Sequence, residues 1–309
     1  MHLPKNFRLI KCDFSLELER EGFLPSFLGS TLRGGFGSVF KRIVCITKGA
    51  DCRDCILKDK CVYSYIFESP GEDARYTYIP HPFVIEPPFF VEKPVRSFHF
   101  NLILFGNAIE YLPYFIYTFE ELGNTGLGRQ RIKYRIKGIT SKEMSVYDGK
   151  TKVLQNPPVP ITGKGIEKRV SSYKGSIERF TLKFITPTRI KQSGKFTDKL
   201  DFAILFKNLV RRVAVLSRYH CKEEWDFDIT VTYDVRTTES NLFWIDIERY
   251  SSRQKARMKM GGVMGEITLG GDLTPLLPLF KLGEYTHIGK ATAFGLGKYE
   301  IKLDKQGFL

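Results

Sequence analysis

The tripeptide Gly-Leu-Gly followed by a basic residue occurs twice in this chain, as Gly126-Leu127-Gly128-Arg129 and as Gly295-Leu296-Gly297-Lys298. Each copy leads into a stretch with apolar residues at every second place: Ile132, Tyr134 and Ile136 after the first, Tyr299, Ile301 and Leu303 after the second. That period belongs to a strand, because successive side chains of an extended backbone point to opposite faces. Dinucleotide- and nucleotide-binding glycine loops lead instead from a strand into a helix, and the phosphate loop ends in Gly-Lys-Ser/Thr. Neither context holds here, so the usual nucleotide-loop readings fail. What the pair constrains is architecture. The same loop before a strand, once just before the middle and once at the end, predicts two structurally similar halves.

The rest of the pattern agrees. In the first half, Asn6 to Glu19 alternates like a long strand. Leu24 to Val44 carries a helical stripe of Phe27, Leu28, Leu32, Phe36, Val39, Phe40 and Ile43, weakened by Gly29, Gly34, Gly35 and Gly37. Arg96 to Leu104 is expected as a strand, Ala108 to Leu122 as a helix and Arg129 to Ile139 as a strand. In the second half, Arg179 to Thr186 is expected as a strand and Lys199 to Tyr219 as an apolar helix. Asp226 to Tyr233 and Val263 to Leu269 are expected strands, Leu273 to Leu282 a short helix broken by Pro275 and Pro278, and Lys298 to Leu303 the closing strand. Both halves fit a βαββαβ order, so the predicted fold is α+β, with two tandem ferredoxin-like (RRM-like) domains. Asn156 to Lys174 is rich in Pro, Gly and Lys and reads as a linker, giving domains 1–174 and 175–309.

Between the first helix and the next strand, about residues 45–75, lies an insertion with Cys45, Cys52, Cys55 and Cys61. Four thiolates are what a tetrahedral zinc or an iron–sulfur cluster requires, although the spacing is not that of facing Cys-x2-Cys pairs. The alternative is four reduced thiols in a loop. A segment with Lys48, Asp51, Arg53, Asp54, Lys58, Asp59 and Lys60 has too little apolar content to bury them unaided, which favours a structural metal. Cys12 and Cys221 stand alone and read as core thiols.

Charge narrows the partners. Lys and Arg number 48 against 34 Asp and Glu, a formal charge of +14, which favours densely anionic partners. The start has no signal-peptide pattern. The apolar stretch from Phe98 to Phe119 contains His99, Asn101, Asn107 and Glu110, so no membrane association is expected, and a cytoplasmic setting is. The alternation at 131–137 predicts a face of Arg131, Lys133, Arg135 and Lys137 opposite Ile132, Tyr134 and Ile136. Residues 249–259 read as a basic hairpin arm, with Arg249, Arg253, Lys255 and Arg257 as phosphate contacts and Trp244 or Tyr250 able to stack on bases.

Phe180 to Ile190 (FTLKFITPTRI), the Trp244…Arg249-Tyr250-Ser251 segment and the closing His287-x-Gly289-x2-Thr292-x-Phe294-Gly295-Leu296-Gly297-x-Tyr299 resemble the RAMP superfamily. Within it, the match is closest to the CRISPR-associated endoribonuclease that processes precursor CRISPR RNA. The Cys45–Cys61 cluster followed by Tyr63 and Phe67-Glu68 resembles one branch of that family. The resemblance implies two ferredoxin-like domains and a C-terminal glycine-rich loop near RNA, adding Gly289, Thr292, Gly295, Gly297 and Lys298 to the RNA-binding candidates. It implies CRISPR repeat RNA as partner, with other CRISPR-associated proteins besides. It also implies cleavage without a metal or other cofactor, in which the 2′-hydroxyl attacks the adjacent phosphate. The products are a 2′,3′-cyclic phosphate and a 5′-hydroxyl. Such chemistry needs a base, an acid and cations.

Many members carry a catalytic histidine on or near the first helix, and residues 24–44 contain none. Of five histidines, His287 alone abuts the glycine loop, making it the candidate general acid or base, with Lys290 to stabilise the phosphate and Tyr285 in reserve. The missing histidine sustains a second reading, a non-catalytic RNA-binding subunit of a CRISPR effector complex. A metal-dependent redox or iron–sulfur protein centred on the four cysteines ranks last.

Overall fold

Alternating burial along residues 8–22 makes the first strand, β1 (Arg8–Gly22), whose inward side chains Leu16 and Leu18 are fully buried. A computed structural model describes residues 1–48, 51–68, 79–88, 93–173, 175–227, 233–251 and 256–303, with the backbone alone at 249–251 and 256–257. The chain divides into two compact units, one of residues 9–160, the other of residues 1–8 with the chain from 161 onward.

In the N-terminal unit β1 is followed by α1 (Leu28–Val44), β2 (Phe83–Glu86), β3 (Val95–Phe105), α2 (Leu112–Thr125), β4 (Tyr134–Ser141), β5 (Met144–Asp148) and β6 (Val153–Leu154). The antiparallel order along the sheet is β2-β3-β1-β4-β5-β6. Its core is aromatic: Phe36 of α1 stacks on Phe115 of α2 at 4.7 Å, and Phe14 stacks on Phe100 at 4.7 Å. The glycines that weaken α1 as a helix let it pack closely, since a Cβ at Gly37 would run into the Phe67 ring.

The C-terminal unit contains β7 (Ile161–Thr162), α3 (Gly163–Val170), β8 (Arg179–Thr188), β9 (Ile190–Gln192), β10 (Lys195–Thr197) and α4 (Phe202–Cys221). β11 (Val235–Ile245), β12 (Glu248–Ser251), β13 (Ala256–Lys259), β14 (Gly262–Gly271), α5 (Leu277–Thr286) and β15 (Tyr299–Leu303) complete it. Its main sheet runs β11-β14-β8-β15, antiparallel throughout. Counted within each unit, the strand order is second-third-first-fourth both times, the ferredoxin-like arrangement. The two Gly-Leu-Gly loops occupy the same place, between the second helix and the fourth strand. Their glycines share a left-handed backbone, at φ +80° and +67° in the first copy and +85° and +75° in the second. Leu127 and Leu296 are buried between them.

Several boundaries differ from expectation. The units divide after Pro160 rather than near residue 174, because the expected linker contains α3, which buries Ile166 and Val170 and packs on α5. The first residues join the C-terminal unit through polar contacts: the Leu3 amide donates to Glu167 Oε1 at 2.7 Å, and the Lys5 and Asn6 amides donate to Glu223 at 2.8 and 2.7 Å. Leu277 to Thr286, not Leu273 to Leu282, is the helix, since Pro278 sits in its first turn, where a missing N–H costs nothing. β4 begins at Tyr134 because Arg131 turns at φ +49° and Ile132 bridges back to Leu127. The strand expected at 226–233 falls mostly on residues 228–232, which lie outside the described residues, and the next described strand is β11. Cys12 and Cys221 are core thiols as expected, and burial pushes the Cys12 thiol up to about 12.

Candidate nucleic-acid interface

The C-terminal glycine loop is built against β8. His287, which ends α5, has φ +59° and ψ 174°, and its side chain is fully buried. Its Nδ1 donates to the Leu296 carbonyl at 3.0 Å, fastening the two ends of the loop together. The Ile288 amide reaches the Gly297 carbonyl at 2.9 Å, and the Gly297 amide reaches the Pro187 carbonyl at 3.1 Å. The Gly295 amide bonds to the Thr292 carbonyl at 2.8 Å, and the Lys298 amide to Thr186 Oγ1 at 2.8 Å. Gly295, Gly297 and Thr292 are buried. These amides are therefore spent on the fold, and the glycines serve packing rather than open phosphate contact. A general acid or base must come within hydrogen-bond reach of the atom it serves. His287, with no exposed surface here, supports the loop from beneath.

Side chains supply the charge that the loop presents. Lys290 is exposed, and its amide donates to the Arg189 carbonyl at 2.8 Å, tying the loop to the end of β8. Gly289, at φ +84°, allows this close approach. Partial burial, then Arg211, Lys191 and Arg212, hold the Lys290 ammonium below its ordinary range. Arg212 is itself buried, and its Nε donates to the Thr286 carbonyl at 2.5 Å, placing a cation at the C-terminus of α5. Arg189, Lys191, Arg211, Arg212 and Lys290 thus gather from three separate segments. Arg211 and Arg212 escape notice in the sequence because they sit on an apolar helix. Tyr285 lies half-buried on α5, and Lys298 half-buried at the start of the last strand.

The other candidates fall elsewhere. Residues 131–137 alternate in exposure as expected, but Arg135 gives Nε and Nη2 to Glu17 Oε2 at 2.9 and 2.5 Å. Hydrogen bonding and charge from Arg135, with Lys137 and Arg96 beyond, keep the Glu17 carboxyl below its ordinary range. That face therefore mixes signs. β12 and β13 pair as the expected hairpin, with Tyr250 opposite Arg257; the side chains of Arg249 and Arg257, and all of Arg253 and Lys255, lie outside the described residues. Trp244 is 41% exposed on β11, and its Nε1 donates to Asp246 at 3.1 Å. Among the other histidines, His99 pairs with Asp13 at 2.8 Å on the N-terminal sheet, and His81 meets Arg33 of α1 at 2.7 Å.

Cys45, Cys52, Cys55 and Cys61 occupy a run of turns after α1, each half-buried. Cys45 and Cys55 both share hydrogen bonds with Thr47 Oγ1, at 3.7 and 3.8 Å. Among the described residues no three potential ligands stand in a metal-holding group. Soft thiolates in this number nonetheless match zinc or an iron–sulfur cluster in donor type.

Residues 182–299, which span the glycine loop and its cations, match the family described as CRISPR-associated endoribonuclease Cas6. Over that segment, well under half of its length, the chain is similar to the Cas6 family. Residues 7–159 match a family described as an N-terminal domain. An Archaeoglobus fulgidus protein, described as uncharacterized, is 28% identical over 305 residues, covering 94% of this chain and 99% of its own. Solved structures confirm the fold. The Cas6 of Thermus thermophilus aligns at a TM-score of 0.56 with 13% identity, over 96% of this chain and 99% of its own. A partial Cas6-RT-Cas1–Cas2 complex aligns at 0.60 with 14% identity over 99% of this chain, which spans only 48% of that longer protein. No helix among the described residues is long and apolar enough to cross a membrane.

Proposed function

We propose that this chain binds CRISPR repeat RNA at the Arg189–Lys191–Arg211–Lys290 cluster, with the buried Arg212 adding its charge from beneath, and cleaves it without a metal ion in the reaction. The observation that carries the reading is this gathering of five cations around one loop, inside the segment that matches the Cas6 family. Phosphates supply most of the affinity in such contacts, and cations are what they select. Cleavage then proceeds by attack of the 2′-hydroxyl on the neighbouring phosphate. A base removes the 2′ proton, the P–O5′ bond breaks, and the leaving oxygen is protonated. Lys290 is assigned to the charge that develops on the phosphate. Tyr285 is the remaining proton-transfer candidate near the loop, and His287 holds the loop in place. Other CRISPR-associated proteins are proposed as partners, in keeping with the likeness to the Cas6-RT-Cas1–Cas2 complex.

A second reading, an RNA-binding subunit that does not cut, is favoured by the burial of His287 and the lack of histidine on α1. Incubating labelled repeat RNA with the protein in EDTA separates the two, since binding without fragments supports the second.

We also propose that Cys45, Cys52, Cys55 and Cys61 hold a structural zinc or iron–sulfur cluster. Ile46 and Ile56 are 81% and 92% exposed, so this segment lacks an apolar core to order it. Elemental analysis should find about one zinc per chain, or a coloured iron-containing protein, and Cys52→Ser should abolish it. The N-terminal unit should then melt earlier while RNA affinity stays unchanged. Metal-free protein with unaltered melting in the variant contradicts the assignment.

A further inference from the structure

We propose that Phe196, on the β9–β10 hairpin, is a stacking platform for an unpaired base of the bound RNA, set beside the phosphate-binding cations. The proposal rests on the RNA-binding reading above and adds a base-recognising element to it. In the hairpin Lys191 pairs directly across from Phe196. Arg189, two residues before Lys191, projects to the same side. The Arg189 guanidinium carbon lies 4.4 Å from the Phe196 ring centroid and Lys191 Nζ lies 5.3 Å from it. The ring remains 39% exposed, whereas Phe180, Phe184 and Phe280 of the same unit are buried in its core. Phe196 therefore contributes little to the core and presents a π surface to solvent within a cationic frame.

An isolated two-stranded hairpin is marginal in water, so this one needs an anchor. It has one at its base: Ile190 is fully buried, and the Arg189 carbonyl accepts the Lys290 amide at 2.8 Å. Ser193 at φ +49° and Gly194 at φ +82° close the tip in a tight two-residue turn of the kind that matches strand twist. The platform is thus held at a fixed place relative to the glycine loop and Lys290. Aromatic faces interleaved with cations are what single-stranded nucleic acid selects, because every base has a π-face and every nucleotide a phosphate. The ligand is accordingly an unpaired nucleotide of any base, with its flanking phosphate on Lys191 or Lys290.

Leucine at position 196 would still cover the Arg189 stem but would not stack, which separates recognition from mere packing. Repeat RNA is titrated against wild type, Phe196→Leu and Phe196→Trp. Phe196→Leu should weaken binding roughly tenfold. The dependence of affinity on salt should stay the same, because no charge is lost. Phe196→Trp should bind at least as tightly as wild type, and its added fluorescence, taken as the difference from wild type, should be quenched by RNA. Equal affinity of Phe196→Leu and wild type, or an unquenched tryptophan at 196, overturns the proposal and leaves the RNA-binding reading standing. Wild type that fails to bind repeat RNA overturns both. Circular dichroism of each variant checks the fold, and the tryptophan readout does not depend on the leucine variant folding.

Discussion

His287→Ala lowers the melting midpoint of the C-terminal unit by roughly 10 °C, and His287→Gly lowers it by clearly less. The imidazole is fully buried, and its Nδ1 holds the Leu296 carbonyl at 3.0 Å. Removing it leaves a cavity and an unsatisfied carbonyl, together about 3 kcal/mol. At φ +59° and ψ 174° the backbone of this residue lies where glycine alone is at ease, a strain of about 1–3 kcal/mol for any side chain. Glycine releases that strain and alanine does not. An ordering with glycine above alanine is the signature of this backbone. Cleavage should slow in both variants because the loop carrying Lys290 loses its fastening. The pH–rate profile should keep its shape. A variant with unchanged melting and one limb of that profile missing would restore His287 as a general acid or base.

Lys290→Ala reduces the cleavage rate about a hundredfold and affinity for RNA by much less. Removing a charge that acts on the developing phosphate takes away stabilisation that exists mainly in the transition state. The pH dependence gives a second signature. Partial burial and the neighbouring Arg211, Lys191 and Arg212 lower the Lys290 pKa. In the unfolded chain the lysine binds its proton more tightly, so over the window just below the ordinary lysine value stability rises with pH. A bound phosphate restores the protonated form, so RNA binding takes up a proton in that window. Affinity should fall with rising pH toward about 10, and the fall should vanish in Lys290→Ala. Identical pH dependence in both proteins would place the phosphate elsewhere.

The repeated loop was legible because both copies solve one problem: a left-handed turn on either side of a buried leucine before a closing strand. Periodicity likewise revealed the order of strands and helices in each unit. What escaped depends on contacts distant in sequence. Glu17 reaches Arg135 across 118 positions and changes a run of cations into a mixed face. Glu167 and Glu223 draw the first residues into the C-terminal unit, against every local signal. Pro278 looked like a helix breaker and is a helix starter, since its effect depends on its position in the turn. A sequence shows the glycines of the closing loop but not where their neighbouring amides are spent. The cations beside it come from residues 189–191, 211–212 and 290, and only the fold brings them together.

The most direct test of the central claim is incubation of a labelled repeat RNA from the host's own CRISPR array with the purified protein in EDTA, followed by end-group analysis of the fragments. One cut at a fixed position, leaving a 2′,3′-cyclic phosphate and a 5′-hydroxyl, is the result predicted here. Tight binding with no fragment, or fragments that form only when a divalent metal is returned, would contradict it.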